Sequence, residues 1–295
     1  MSAECNLCPR KCNIDRNAPG ITAGGFCGVC DSPVVARAGV HMWEEPCISG
    51  ERGSGTVFFS GCNLRCVYCQ NKEISSERFG KRISVSRLRE IYLELCAKGV
   101  HNINLVTPTH FAAAVCESLS EPLPVPVVWN SGGYDSVSTL NMLEGKIQIY
   151  LPDWKYADSH IAQKYSAAAD YPVAAEKAIL EMYRQVGEYE LTDDGIMKKG
   201  VIIRHLVLPG CLDNTKRVID RVYELFGNGK VLFSLMSQYT PVAGVPFSEL
   251  QRRLTEEEYG EVSEYLYSSG IEDGFMQELS SAKEEYIPPF DLSGV

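Results

Sequence analysis

The sequence predicts an α/β protein in which six apolar strands alternate with amphipathic helices and form a partial (β/α)6 barrel. Short apolar runs bounded by turn residues recur along the chain, and between them apolar residues repeat with helical spacing. Strands that are connected through helices form right-handed units and lie parallel to one another. The roughly 240 residues with this alternation are few for eight such units and their loops, so six are expected.

The strands and helices are each predicted from local residue patterns. The strands are the apolar runs at 56–60, 103–107, 125–130, 147–151, 201–207 and 231–236. Asp213 is a plausible N-cap of one helix, and Thr255 with Glu258 forms a capping box at the start of another. Glycines that are placed to end three helices are Gly99, Gly227 and Gly270. The apolar residues with helical spacing are Leu88, Ile91, Tyr92 and Leu95, then Val218, Ile219, Val222 and Leu225, and finally Tyr259, Val262 and Leu266.

The composition is that of a globular enzyme. Apolar residues make up 45% and charged residues 22% of the 295 residues. The net charge of −10 argues against a nucleic-acid partner, because phosphate binding favours a basic surface. No apolar run reaches the length of a membrane span and the first residues lack the pattern of a secretory signal, so we expect a cytoplasmic protein. In that compartment the twelve cysteines are not expected to form a disulfide framework, and the clustered ones are expected to bind metal.

Three cysteines follow the first predicted strand with the spacing Cys62-x3-Cys66-x2-Cys69. Structural thiolate sites are normally closed by four ligands, whereas a four-iron cluster with three protein ligands leaves one iron open to a substrate or cofactor. Gly61 and Asn63 suit a loop that wraps closely around such a cluster. The alternative is a zinc site that a distant residue completes. The spacing therefore favours iron–sulfur chemistry at an open iron.

Five further cysteines lie near the start of the chain, in a glycine-rich region without helical periodicity. We predict a cysteine-rich metal-binding segment over residues 1–50 and the barrel over residues 51–295. Two Cys-x2-Cys pairs have the spacing of a zinc ribbon and leave one cysteine unused. In the alternative, four of the five hold an auxiliary iron–sulfur cluster. The five residues are Cys5, Cys8, Cys12, Cys27 and Cys30.

Polar residues follow every predicted strand at its carboxyl end. Parallel β/α folds build their binding sites at this edge, so six separate loops are expected to converge on one site. Arg204 lies inside an otherwise apolar strand, where a basic side chain needs a partner, which favours a functional role.

At this point the chain resembles a known family. The chain combines the cysteine triplet, which has Tyr68 before its third cysteine, with a predicted partial β/α barrel. This combination resembles the radical S-adenosylmethionine enzymes. A longer similarity, to uncharacterised homologues of the pyruvate formate-lyase activating enzyme, includes the runs His41-x-Trp43-Glu44-Glu45-Pro46 and Ile48-Ser49-Gly50. The resemblance covers nearly the whole chain. It implies a [4Fe-4S] cluster on Cys62, Cys66 and Cys69, S-adenosylmethionine as a second cofactor, and a flavodoxin or ferredoxin as electron donor.

The resemblance also implies which residues hold S-adenosylmethionine. The segment 107–110 occupies the place of the family's Gly-Gly-Glu-Pro motif but contains no glutamate, and Asn130 stands where the family has an aspartate near a monovalent cation. Asp153 and Lys155 match an Asp-x-Lys motif, with a solvated ion pair as the alternative. The alternative for His110 is that it only occupies the start of a helix. The complete set of implied cofactor-binding residues is Tyr68, Asn71, Thr107, Thr109, His110, Asn130, Ser131, Asp153, Lys155 and Arg204.

The family resemblance implies radical chemistry, and we consider three hypotheses for the function. In the family, one electron cleaves S-adenosylmethionine, and the resulting 5′-deoxyadenosyl radical abstracts hydrogen from a substrate. The favoured hypothesis is glycyl radical formation on a partner protein, as pyruvate formate-lyase activating enzymes perform it. A second hypothesis retains the radical chemistry but changes the substrate to a peptide or a small molecule. The third, from a different class, is a zinc-binding interaction protein without catalysis.

Overall fold

One mixed sheet organises the fold, as seen in a computed structural model that describes residues 5–279 and 288–295. The strands of the described chain are β1 Val34–His41, β2 Ser54–Phe59, β3 Lys81–Arg82, β4 Ile103–Val106, β5 Val127–Ser131, β6 Ile149–Pro152, β7 Glu190–Leu191, β8 Met197–Leu206, β9 Leu232–Met236 and β10 Gly274–Met276. The helices are α1 Pro46–Ser49, α2 Lys72–Ser75, α3 Val85–Ala97, α4 Ala112–Ser118, α5 Val137–Met142, α6 Ser159–Ser166, α7 Tyr171–Val186, α8 Leu212–Phe226 and α9 Glu256–Ser269. Single 3-10 turns occupy Thr109–Phe111 and Ser248–Gln251.

The strands follow the order β10-β9-β8-β6-β5-β4-β2-β1-β3, and β7 pairs with β8. From β2 through β4, β5, β6, β8 and β9 to β10, each neighbour is parallel. The first six of these correspond to the six predicted strands, with ends that differ by a few residues. The short β10 adds a parallel strand at the far edge, and the prediction had missed it because its run is only three residues long.

The strand β1 was also missing from the prediction. It pairs antiparallel with β2, with His41 opposite Ser54 and Val35 opposite Phe59, and therefore covers the edge of β2. The predicted boundary after residue 50 stays a prediction. Residues 34–50, which it assigns to the cysteine-rich segment, contain β1 and α1, so the sheet begins within that segment.

The helix ends follow the predicted glycines but differ at one N-cap. Gly227 and Gly270 are the C-cap residues of α8 and α9, and the Thr255–Glu258 capping box is present at the start of α9. The prediction of Asp213 as an N-cap is wrong. Helix α8 begins at Leu212, so Asp213 lies in its first turn, where its charge complements the helix dipole.

A buried apolar layer lies on both faces of the sheet. All six residues of β2 are buried, which is typical of a strand that helices cover on one face and the barrel interior covers on the other. No helix in the described residues has the length and apolar character that crossing a membrane requires. The largest fully buried side chains include Trp129, Trp154, Tyr92, Tyr134, Tyr150, Tyr156, Tyr165 and Tyr171.

Candidate active site at the carboxyl edge of the sheet

A cavity of about 320 Å³ opens at the carboxyl ends of the parallel strands. The triplet loop after β2 forms one wall, and the ends of β5, β6 and β8 form the floor. The segment between β1 and α1 closes another side. The predicted site residues that line this cavity are Cys66, Cys69, Tyr68, Asn71, Asn130, Asp153, Lys155 and Arg204.

The triplet loop holds its three thiols close together behind a tight turn. Gly61 has a φ of +82° and lets the chain turn sharply at the end of β2. The backbone N–H groups of Leu64 and Arg65 donate to Cys62 Sγ at 3.3 and 3.5 Å. Burial is the main cause that raises the pKa of Cys62 to about 12, and the nearby Cys66 thiolate charge contributes less. A buried thiol of this kind ionises when a metal binds it, so the loop fits an iron–sulfur cluster.

Cys66 receives a hydrogen bond from a buried chain of hydroxyl groups. The Ser166 hydroxyl donates to Cys66 Sγ at 3.0 Å. Tyr156 Oη lies 2.7 Å from Ser166 Oγ, and Tyr68 Oη lies 2.7 Å from Tyr156 Oη. Because the single hydroxyl hydrogen of Ser166 goes to sulfur, Tyr156 donates to Ser166 and Tyr68 donates to Tyr156. Donors to a ligating sulfur tune the electronic properties of the metal that it binds.

Buried charged groups form the floor of the cavity. The Arg204 guanidinium donates to Asp153 Oδ1 at 2.9 Å, to Glu44 Oε2 at 3.0 Å and to Asn130 Oδ1 at 2.8 Å. Lys155 Nζ donates to Asp153 Oδ2 at 2.6 Å. Although burial opposes it, the charges of Arg204 and Lys155 lower the pKa of Asp153. The network therefore keeps Asp153 ionised at neutral pH, away from water.

Two glutamates in this network were not predicted as site residues. Glu44 and Glu45 precede α1, and the sequence analysis had quoted them only within the run that carries the family resemblance. Glu44 Oε1 accepts from Asn104 at 3.1 Å and from Asn130 at 3.3 Å. Burial raises the pKa of both glutamates in spite of the nearby Arg204 charge. The only sequence signal was a pair of acidic residues next to Pro46, and local patterns do not show that such a pair turns inward.

Four predicted cofactor-binding residues lie outside the cavity lining. The hydroxyls of Thr109 and Ser131 donate to the buried Asp135 carboxylate at 2.7 and 2.5 Å. His110 Nε2 contacts the Ser60 carbonyl at 2.8 Å, and burial, aided by the Arg16 charge, lowers the pKa of His110 to about 3. Thr107 is the fourth, and its backbone N–H donates to the Asn130 carbonyl oxygen. Their role as cofactor ligands stays a prediction.

The amino-terminal cysteines form a second group behind the triplet loop. Cys8 interacts electrostatically with Cys27, Cys5 and Cys12. Cys30 is fully buried and its thiol donates to the Ser32 carbonyl oxygen at 3.4 Å. In residues 5–279 and 288–295, no three His, Cys, Asp or Glu side chains are arranged to hold a single metal ion, and this applies to both cysteine groups.

Comparison with known proteins agrees with this geometry. The family model described as a 4Fe-4S single cluster domain matches residues 48–142, which include the triplet. An uncharacterized protein of Methanocaldococcus jannaschii, MJ0674, is 30% identical over 266 residues, or 86% of this chain and 71% of its own length. The chain belongs to the family of this archaeal protein.

The fold is also found in solved structures. Streptococcus suis SuiB bound to its precursor peptide SuiA gives a TM-score of 0.50 at 13% identity, over 77% of this chain and 49% of SuiB. SuiB bound to S-adenosylmethionine gives 0.48 at 12% identity, over 76% and 50%. The FeFe-hydrogenase maturase HydG of Carboxydothermus hydrogenoformans gives 0.45 at 14% identity, over 79% and 59%. The chain thus spans about half the length of the SuiB structures that it matches.

These findings confirm the predicted fold class, an α/β fold with a partial β/α barrel, which SuiB shares. The domain model supports the predicted 4Fe-4S cluster on the triplet.

Proposed function

We propose that the protein is a radical S-adenosylmethionine enzyme whose cofactors meet in the cavity at the carboxyl edge of the sheet. The observation that carries this proposal is the position of Cys66 and Cys69 beside the buried charges of Asp153, Lys155 and Arg204 in one cavity. A cluster on the triplet supplies an open iron and one electron to cleave the sulfonium of S-adenosylmethionine. The chain's own residues bind, orient and shield that cofactor.

The charge of the cavity supports this choice of cofactor. Glu44, Glu45 and Asp153 contribute three carboxyl groups, and Lys155 with Arg204 contributes two cations, so the cavity has one negative charge in excess when all three carboxyls are ionised. S-adenosylmethionine carries a sulfonium, an ammonium and a carboxylate, so its net charge is opposite to this excess. The raised pKa values of Glu44 and Glu45 mean that an entering cation favours their ionised form.

Individual side chains have distinct tasks in this proposal. Lys155 and Arg204 are suited to the carboxylate of the methionyl group, and Glu44 is suited to its ammonium. Tyr68 is buried against Tyr165 and Tyr239 and forms an aromatic wall, on which an adenine can pack. Burial of these groups excludes water and stray hydrogen donors, which a radical intermediate requires.

A polypeptide is the substrate class that we favour, with a glycine of a partner protein as the site of hydrogen abstraction. SuiB, which shares the fold, has been solved with a precursor peptide. The cavity is bordered by Trp43, which is 61% exposed, and by a groove that Met42 and Gln238 also line. An exposed aromatic residue at the mouth of a radical site suits an extended chain that enters from the side. A peptide that is modified without a lasting radical is the second candidate.

The cofactor proposal is tested with anaerobically reconstituted protein, dithionite and S-adenosylmethionine. We expect 5′-deoxyadenosine and methionine in equal amounts, and at least a hundredfold less from Cys66→Ala. Cys116→Ala, which changes a thiol remote from the triplet, is the matched control and should retain the activity. Full activity of Cys66→Ala, or no cleavage by a protein with a complete cluster, would refute the proposal.

The substrate proposal has a separate test. The reduced enzyme with S-adenosylmethionine is mixed with a candidate glycyl radical enzyme, and electron paramagnetic resonance is recorded at liquid-nitrogen temperature. A doublet that collapses after Gly→Ala substitution in the partner is expected. Cofactor cleavage that continues without this signal would exclude the activase and leave a peptide or a small molecule as the substrate.

A further inference from the structure

The amino-terminal cysteine segment packs as a set of tight loops behind the triplet loop, and the proposed function does not use its thiols. The Cys5 N–H donates to the Ile14 carbonyl at 2.8 Å, and the Asn13 N–H donates back to the Cys5 carbonyl at 3.2 Å. This short ladder folds residues 5–14 into a hairpin. The Ile14 side chain packs against the turn at Gly25 and joins the hairpin to the loop before Cys27. Its Cδ1 atom lies 2.9 Å from the point that a Cβ atom on Gly25 would occupy.

Four of the five thiols come together in this arrangement. Cys8 has the thiols of Cys27, Cys5 and Cys12 as its electrostatic neighbours. Cys12 Sγ lies 3.6 Å from the Cβ position of Gly25, two residues before Cys27. The Cys30 thiol donates instead to the carbonyl oxygen of Ser32 at 3.4 Å. Cys12, which a zinc ribbon would leave unused, thus lies beside the loop that carries Cys27.

Three of the four grouped thiols accept hydrogen bonds that stabilise a thiolate. The backbone N–H of Arg10 donates to Cys8, and that of Phe26 donates to Cys12 Sγ at 3.5 Å. The guanidinium of Arg16 lies 3.7 Å from Cys5 Sγ. The catalytic triplet has the same kind of donors. Amide and guanidinium donors of this kind are typical of sulfur atoms that hold an iron–sulfur cluster.

We propose that Cys5, Cys8, Cys12 and Cys27 hold a second four-iron cluster and that Cys30 is not a ligand. Their spacing is three close cysteines followed by one distant cysteine, which is the ferredoxin pattern. Structural zinc sites instead draw two closely spaced pairs, and here the second pair would need Cys30. The four thiolates close the coordination of this cluster, so it has no open iron and does not bind S-adenosylmethionine.

The second cluster lies directly behind the triplet loop. Gly61, the residue before Cys62, packs against Cys27. The Cys27 carbonyl oxygen lies 3.1 Å from the point that a Cβ atom on Gly61 would occupy. The Arg10 side chain, two residues after Cys8, donates to the Asn63 carbonyl at 2.8 Å and to the Ser166 carbonyl at 2.7 Å.

Iron and sulfide content of anaerobically reconstituted full-length protein tests the ligand set. We expect about eight irons per chain for the wild type and for Cys30→Ala, and about four for Cys12→Ala. Zinc is measured in the same samples, before and after reconstitution. Far-UV circular dichroism and a Cys47→Ala control, which removes another buried thiol, check that each variant is folded.

A variant that lacks Cys62, Cys66 and Cys69 separates this proposal from the proposed function. It should retain about four irons while it loses cleavage of S-adenosylmethionine. Its resonance signal after reduction should be that of a single cluster, whereas the wild type should show two. One zinc with about four irons in the wild type, eight irons in Cys12→Ala, or a loss of iron in folded Cys30→Ala would overturn the proposal.

Discussion

Replacing Arg204 with methionine tests whether the buried charge network holds the cavity together. Arg204 forms ion pairs with Asp153 at 2.9 Å and Glu44 at 3.0 Å and lies 3.9 Å from Glu45. The side chains of all four residues are at most 15% exposed. Methionine preserves the apolar stem but leaves three buried carboxylates with Lys155 as their nearby cation. Breaking a buried pair in this way costs about 3–5 kcal/mol, so the free energy of unfolding should fall by that amount at pH 7.5.

The pH dependence gives the experiment a second readout. Burial already raises the pKa of Glu44 and Glu45 above that of the unfolded chain, and removing the Arg204 charge raises it further. A carboxyl with a raised pKa in the folded state stabilises the fold as the pH falls. The loss caused by Arg204→Met should therefore be smaller at pH 5.5 than at pH 7.5.

The measurement is anaerobic urea unfolding followed by tryptophan fluorescence, with Arg221→Met as the matched control. Arg221 also pairs with two carboxylates, Glu176 at 2.8 Å and Glu224 at 2.7 Å, but is 40% exposed. Its replacement should cost less than about 1 kcal/mol and show little change with pH. Equal losses for the two variants, or a loss for Arg204→Met that is the same at both pH values, would refute the reasoning.

Three further predictions follow from the loops around the triplet. Gly61→Ala should lower the free energy of unfolding by about 1–3 kcal/mol more than Gly99→Ala. Both residues have positive φ, but of the two only Gly61 has neighbours within 4 Å of where an added Cβ atom would lie. Equal losses in urea unfolding would contradict this. Tyr156→Phe should lower the reduction potential of the triplet cluster in a resonance-monitored titration, whereas Tyr92→Phe should not, because only Tyr156 reaches Cys66 through Ser166. The pKa of His110 is lowered to about 3, so this residue stays neutral in the folded protein. At pH 5 the unfolded chain protonates His110, and the free energy of unfolding should therefore be about 2 kcal/mol lower than at pH above 6.5. His110→Gln should lack that part of the pH dependence, and an unchanged pH profile would count against it.

The barrel and the triplet were predictable because they depend on local patterns. The apolar runs gave β2, β4, β5, β6, β8 and β9 within a few residues, since a buried strand needs a continuous apolar stretch. The predicted site residues Asp153, Lys155 and Arg204 line one cavity, as expected where parallel strands bring their carboxyl ends to one edge. These inferences need only the order of elements along the chain.

The parts that were missed depend on contacts between distant segments. Glu44 reaches Arg204 across 160 positions of sequence, and no periodicity signals an acidic residue that turns inward. Thr109 and Ser131 were assigned from the family resemblance, which does not show that their hydroxyl groups donate to the buried Asp135; their role as cofactor ligands stays a prediction. Spacing alone likewise left the choice between Cys12 and Cys30 open, and our proposal for Cys12 depends on contacts with the loop before Cys27.

The anchoring of Arg10 has a consequence for synthesis on the ribosome. Its side chain donates to the carbonyls of Asn63, Ser166 and Ala167, which lie 53, 156 and 157 positions later in the chain. The cysteine hairpin emerges first but finds these acceptors only after α6 has been translated. Until then its thiols face the surrounding metal ions and oxidants without their final neighbours. Iron supply and oxygen exposure during translation should therefore decide what that hairpin captures, long before the finished chain is folded.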